Sequence, residues 1–279
     1  MKFEGTDKYY INPELQAIVN MAVVMEKPLL LTGEPGTGKT QLAFEISRAL
    51  NMNIEILRAK STIKGEEVCY VQDTVLRLND ARFGSGSTGR DVNRFYDYVI
   101  WGPIGRAFKA EERVVLLLDE IDKTESDVQD NLLDVLEDCE FTIREVNETI
   151  KSVKRPLIII TSNAKRELSD PFLRRCFCHH IPFPHPDEMR KIVALHFPDV
   201  NKGLVESALK IFYELRERGY EKPPATSELL NWLQALQIEG LTPTSSKDIP
   251  FLGTLLKRTN DILSFRGGEH NKSNTRQRW

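Results

Sequence analysis

The sequence predicts a doubly wound α/β domain followed by a smaller all-helical domain, on three observations. Short apolar runs alternate with longer helical patterns between residues 28 and 183. The runs are continuously apolar, as strands are in a parallel sheet covered on both faces. After Pro184 the strand signal stops and only helical periodicity remains.

Four runs carry the strand signal: Pro28–Thr32, Ile54–Leu57, Val114–Leu118 and Leu157–Thr161, with Phe177–Phe183 as a fifth. A helical pattern at Leu42–Leu50 follows the first of them, so the core reads as a five-stranded parallel sheet within residues 1–186. Two stretches interrupt the alternation. Val68–Asp91 carries the polar tip FGSGSTGR and reads as an inserted hairpin or loop at about 68–91. Phe141–Ile143 and Thr149–Val153 flank the turn-like Glu145–Glu148, a second hairpin at about 141–153. Beyond it, Asp187–His196, Leu204–Leu215, Ser227–Ile238 and Asp248–Ser264 keep helical spacing, a lid-sized domain over 187–265. Residues 266–279, RGGEHNKSNTRQRW, are polar and glycine-containing and read as a disordered tail.

Hydrophobic content of 41%, charged content of 28% and a net charge of -3 exclude a general electrostatic pull toward nucleic acid or membrane; such binding would need a local patch. Apolar runs such as VVLLL fall far short of the ~20 residues that cross a bilayer. The opening MKFEGTDKYY has no signal-peptide apolar segment, so the expected location is cytoplasmic. Cys69, Cys139, Cys176 and Cys178 are scattered and are expected as free thiols.

The stretch GEPGTGKT at 33–40 follows a strand and precedes a helix, the context of a phosphate-binding loop. Glycines let successive backbone N–H groups of Gly33, Glu34, Pro35, Gly36, Thr37 and Gly38 (Pro35 excepted) converge on phosphates at a helix N-terminus. Lys39 reaches the β and γ phosphates, the Thr40 hydroxyl holds Mg²⁺, and Gln41, next along the helix, is expected among the nucleotide-binding residues. The nucleotide is expected to be ATP, because no guanine-reading Asn/Thr-Lys-x-Asp follows.

VVLLLDEID ends a strand with Asp119 and Glu120 at its carboxyl edge, where open α/β sheets bind ligands. Asp119 suits Mg²⁺, and Glu120 suits deprotonation of an attacking water. Asn163 closes IIITSN at the neighbouring strand tip and can hold water or γ-phosphate without competing for metal.

The order GEPGTGKT, LLLDEID, IIITSN, LRRC and then a helical domain resembles an AAA+ ATPase over about residues 9–265. YYINPELQAIVNMAVVMEKPLLLTGEPGTGKT and WGPIGRAFKAEERVVLLLDEIDK are similar to the MoxR-like branch with an insert in its second helix. The resemblance implies a homo-oligomeric ring, usually a hexamer, with ATP and Mg²⁺ at subunit boundaries. It further implies work on a protein client, often with a partner carrying a von Willebrand factor A domain. It places an arginine finger just before the fifth strand: the clamp-loader pattern Ser-Arg-Cys aligns with Arg174, Arg175 and Cys176, favouring Arg175 over Arg174. It also places Tyr10 and Ile11 near the adenine. The second sensing arginine of many AAA+ proteins is missing from PPATSELLNW, where Ser227 and Glu228 stand instead.

Three other functions compete. A small-molecule kinase would not need LRRC or the helical domain. A DNA-associated motor or loader would use Lys60, Lys64, Arg77, Arg82 and Arg90. A nucleotide-locked scaffold or switch would have no need of Glu120. The run Cys176, Cys178, His179, His180 also invites a zinc site, but alternation along a strand sends Cys178 and His179 to opposite faces.

Overall fold

The computed structural model describes residues 2–61, 63, 67–164, 166 and 168–273, the side chains of 87 and 268–273 excepted. Nine strands are present among them: β1 (Leu29–Thr32), β2 (Ile54–Arg58), β3 (Tyr70–Gln72), β4 (Val99–Trp101), β5 (Val115–Asp119), β6 (Glu140–Ile143), β7 (Glu148–Lys151), β8 (Leu157–Ser162) and β9 (Phe177–His180). Five of them form one parallel sheet in the order β2-β5-β8-β1-β9. The three central strands are the most apolar stretches. Leu29–Leu31, Val115–Leu118 and Leu157–Ile160 are all buried, whereas the edge strands β2 and β9 are only partly so. Continuous hydrophobicity therefore marks sheet centre as well as strand.

The sheet belongs to an α/β unit comprising residues 1–6, 11–34 and 39–181. Its helices are α1 (Pro13–Met25), α2 (Lys39–Ala49), α3 (Thr74–Phe83), α4 (Pro103–Lys109), α5 (Ser126–Asp138) and α6 (Asp170–Arg175). Asn12 caps α1 by accepting the Leu15 N–H at 2.8 Å, with Pro13 in the first turn. Phe177 to His180 is shorter than the expected fifth strand, since Pro182 and Pro184 cannot donate to a ladder.

The insert differs from the expected hairpin or loop. It is a helix, α3, carried between two short strands, with β3 and β4 pairing antiparallel from Tyr70↔Trp101 to Gln72↔Val99. Asp73 caps α3 through the Leu76 N–H, and Val68, Cys69 and Tyr70 are buried in the unit's core rather than lying on its surface. A polar knot fixes the far side: buried Asp80 accepts from Arg90 at 2.8 Å and from the Tyr98 hydroxyl at 3.0 Å. The second hairpin is present as β6 and β7, paired Glu140↔Lys151 to Ile143↔Glu148.

The second unit comprises residues 7–10, 35–38 and 182–279. Its helices are α7 (Pro186–His196), α8 (Lys202–Arg216), α9 (Thr226–Ile238), α10 (Leu252–Leu255) and α11 (Thr259–Ser273). They bury Phe212, Leu229, Trp232 and Leu255 in a core of their own. The single helix expected over Asp248–Ser264 is divided: Phe251 adopts a left-handed conformation and Leu256 leaves α10 extended. The tail expected from 266 is helical as far as Ser273, continuing α11 from the turn held by buried Phe265 by one backbone bond per residue. Residues 274–279 of that expectation lie outside the described residues.

Candidate nucleotide site

The loop 33–38 joins β1 to α2, so its N–H groups are presented at the start of an 11-residue helix. Gly36 and Gly38 have φ of 81° and 89°, a region that residues with a Cβ enter only with strain. A Cβ on Gly38 would also meet the Tyr9 ring at 3.1 Å. Tyr9 is thus the aromatic against the loop, whereas Tyr10, placed near the adenine by resemblance, lies under the Lys191 ammonium at 5.1 Å from its ring centre. Ile11 is half-buried just ahead of α1.

The Lys39 ammonium is folded back on the loop and donates to the carbonyls of Gly33 and Glu34, each at 2.8 Å. Burial lowers its pKa, opposed by Asp122, Asp119, Glu120 and Glu34. At the tip of β5, Asp119 Oδ1 accepts the hydroxyls of Thr40 and Thr161, both at 2.7 Å. A hydroxyl and a carboxylate in contact are the oxygen-only donors that a hard divalent cation takes, so the residues fit Mg²⁺. A buried ammonium at the head of a glycine loop likewise fits phosphate.

Glu120 stands in a left-handed conformation, φ 58° and ψ 48°. Such a conformation costs a non-glycine residue about 1–3 kcal/mol and persists only where neighbours hold it. Thr161 does so by accepting the Glu120 N–H at 2.8 Å. The side chain is held as well: Asn163 Nδ2 donates to Oε1 at 3.0 Å, and Lys123 pairs with Oε2. That bond raises the Lys123 pKa. Buried Asp122 accepts the Asn163 backbone N–H at 3.2 Å.

The structure therefore brings Lys39, Thr40, Asp119, Glu120 and Asn163 together at the carboxyl ends of β1, β5 and β8. Thr161, Lys123 and Asp122 join them without having been singled out in the sequence. Thr161 sits in IIITSN, where a β-branched residue reads as strand, and only its place opposite Asp119 reveals the role. Arg174 and Arg175 end α6 elsewhere in the unit. Arg174 is exposed, and Arg175 Nε pairs with Glu137 at 2.5 Å. In the helical unit Glu228 accepts from Ser227 at 2.8 Å and faces Lys222 at 3.5 Å.

Among the described residues no group of three or more His, Cys, Asp or Glu could hold a metal ion. Burial pushes the Cys176 thiol up to about 12, and the His180 ring hydrogen-bonds Thr32 at 3.2 Å. The cation patch considered for DNA is partly consumed: Arg90 binds Asp80, and Arg77 donates to the Val92 carbonyl at 3.0 Å. Lys64 lies outside the described residues. Among them, no helix is long and apolar enough to cross a membrane.

A parallel sheet ordered β2-β5-β8-β1-β9, with this loop after β1 and two acids after β5, defines a P-loop nucleoside triphosphatase of the AAA+ kind. A family model described as an AAA domain of the dynein-related subfamily matches residues 28–176, more than half the chain. The chain belongs to that family. Among relatives, it is 27% identical over 214 residues to a peroxisomal Lon protease homologue 2 of Oryza sativa subsp. indica, covering 68% of this chain and 21% of that one. It is 29% identical over 204 residues to replication factor C small subunit 1 of Pyrobaculum aerophilum, covering 70% and 48%. The chain thus spans well under two thirds of either relative. Among solved structures, a point mutant of Thermotoga maritima RuvB superposes with a TM-score of 0.54 at 18% identity, covering 90% of this chain and 71% of that one. NtrX from Brucella abortus in complex with ADP gives 0.53 at 16%, covering 91% and 56%. These two likenesses show the fold.

Proposed function

We propose that this chain is the motor of a MoxR-like ring ATPase that hydrolyses ATP and uses the cycle to remodel, assemble or activate a partner protein. The observation that carries hydrolysis is the pair of acids in different company. Asp119 is held by two hydroxyls as a metal ligand is, and Glu120 is aimed by an amide as a general base is. Lys39 binds the β and γ phosphates once it leaves the loop carbonyls. Bound Mg²⁺ supplies charge neutralisation at the phosphate oxygens. Glu120 takes the proton of the attacking water on a carboxylate oxygen, and Asn163 fixes where that oxygen sits.

Arg175 is proposed as the residue that completes the site of an adjacent subunit, a contribution of about 10³–10⁵ in rate where such fingers act. A homo-oligomeric ring, a cytoplasmic setting and a client or a von Willebrand factor A domain adaptor belong to the same proposal. The deciding experiment is Glu120→Gln, which should keep ATP binding and lower turnover about 10²–10⁴-fold. Undiminished phosphate release would reject Glu120 as the base. With ATP, the same variant serves as a trap for the client.

A DNA-associated motor is the second possibility, since one relative is a replication factor C subunit and one structural neighbour is RuvB. Salt-dependent DNA binding with DNA-stimulated hydrolysis would favour it. The loss of Arg77 and Arg90 to internal bonds weighs against it.

A further inference from the structure

A second cluster of cations lies at the other end of β1. Lys27 precedes the strand, Arg155 leads into β8, and Arg174 and Arg175 close α6 ahead of β9. With Glu137 of α5 they rim a cavity of about 170 Å³ over an apolar floor that includes Leu133 and Ile160. The phosphate loop leaves β1 at its carboxyl end, whereas Lys27 and Pro28 stand at its amino end. Four residues of extended chain, roughly 3.3 Å each, separate the two places.

The lining is short of negative charge. Glu137 already pairs with Arg175 Nε at 2.5 Å, and Asp134, off the rim, stands 3.7 Å from Arg175 Nη2. Arg155 donates to the backbone carbonyls of Glu26 at 3.1 Å and Glu137 at 2.7 Å. Those bonds satisfy donors without neutralising the cation. Lys27 lies 5.8 Å from the centre of the Phe177 ring, which likewise leaves its charge in place. The volume is below the roughly 300 Å³ at which small-molecule pockets begin, so it suits one oxyanion and not a nucleoside. Guanidinium forks arriving from separate elements match phosphate, whose several oxygens can meet more than one of them.

We propose that this cavity binds a tetrahedral oxyanion of the phosphate class, with Glu137 as the internal competitor for Arg175. The ion is either free orthophosphate or the terminal phosphate of a larger molecule. Arg175 is shared with the contact proposed for an adjacent subunit, so the cavity is tested in protein whose own phosphate loop is disabled.

The test uses the full chain carrying Lys39→Ala, which disables the loop, titrated with orthophosphate at constant ionic strength by calorimetry and ³¹P line width. Phosphate salts stabilise many proteins by surface exclusion, so the readout is saturable binding and its dependence on rim residues. Adding Glu137→Gln removes the competing carboxylate while keeping the backbone carbonyl that Arg155 uses, and should tighten binding about threefold. Lys27→Gln should weaken it by a similar factor at an unchanged melting temperature. Orthophosphate binding without rim-dependent ADP binding assigns the free ion; rim-dependent ADP binding assigns a phosphate carried on a larger molecule. Absence of saturation, equal affinity in all three proteins, or equally tight acetate binding would overturn the proposal.

Discussion

Thr161 grips Asp119: its hydroxyl donates to Asp119 Oδ1 at 2.7 Å while its oxygen accepts the Glu120 N–H at 2.8 Å. One buried side chain of β8 thereby orients the metal-site carboxylate and stabilises the unusual backbone of the next residue. Thr161→Val keeps the shape and removes both bonds. Turnover is expected to fall about 10–100-fold, as it does when partners of a metal ligand are lost. Thr161→Ser should recover most of it, and steady-state ATPase assays on the three proteins decide the matter.

Lys39 illustrates a cost accepted for binding. Burial depresses its pKa, so the charged form opposes folding at every pH below the folded-state value, and the penalty is relieved as pH rises through it. Lys39→Met should therefore leave the melting temperature of the nucleotide-free protein unchanged or higher. Nucleotide affinity should drop at least about tenfold, the value of one charged hydrogen bond. Calorimetric melting and nucleotide titration of the same sample provide both readouts.

If Arg175 serves a neighbour, inactive subunits of two kinds repair each other. Lys39→Ala and Arg175→Ala proteins, each inactive alone, should hydrolyse ATP when mixed, because some interfaces then join an intact loop to an intact arginine. A mixture that assembles and stays inactive rules out action between subunits.

The knot in the insert predicts an acid transition. The Arg90 guanidinium holds the Asp80 carboxylate below its ordinary range. Its contribution to stability is complete above the unfolded carboxylate pKa and is lost as pH falls through the lowered folded value. Amide exchange at residues 84–94 should accelerate over that acid range before the sheet does. Asp80→Asn should remove the pH dependence and loosen the knot at neutral pH, since the amide keeps an acceptor oxygen but loses the charge that strengthens the bond from Arg90.

The parts that sequence disclosed are those whose chemistry is contiguous. GEPGTGKT, LLLDEID and IIITSN each pair a strand with the residue that its end must present, so Lys39, Asp119, Glu120 and Asn163 were legible one at a time. Thr161 and Lys123 were not, because their importance lies in what they face across strands or turns. Helix α3 was hidden by its neighbour FGSGSTGR, whose glycines dominate the segment; the start signal was Asp73 followed by Thr-Val-Leu. The Arg175–Glu137 pair joins α6 to α5 and has no signature along the chain.

β1 pairs in register with β9 from Leu29↔Phe177 to Thr32↔His180. The phosphate loop departs from one end of that pairing, and Arg175 arrives two residues before the other. Under the proposed function, a subunit would then carry its socket and its plug at opposite ends of one rigid rod. In the proposed ring, each contact joins the socket of one subunit to the plug of the next. Such head-to-tail contacts either close into a ring or run on as a filament.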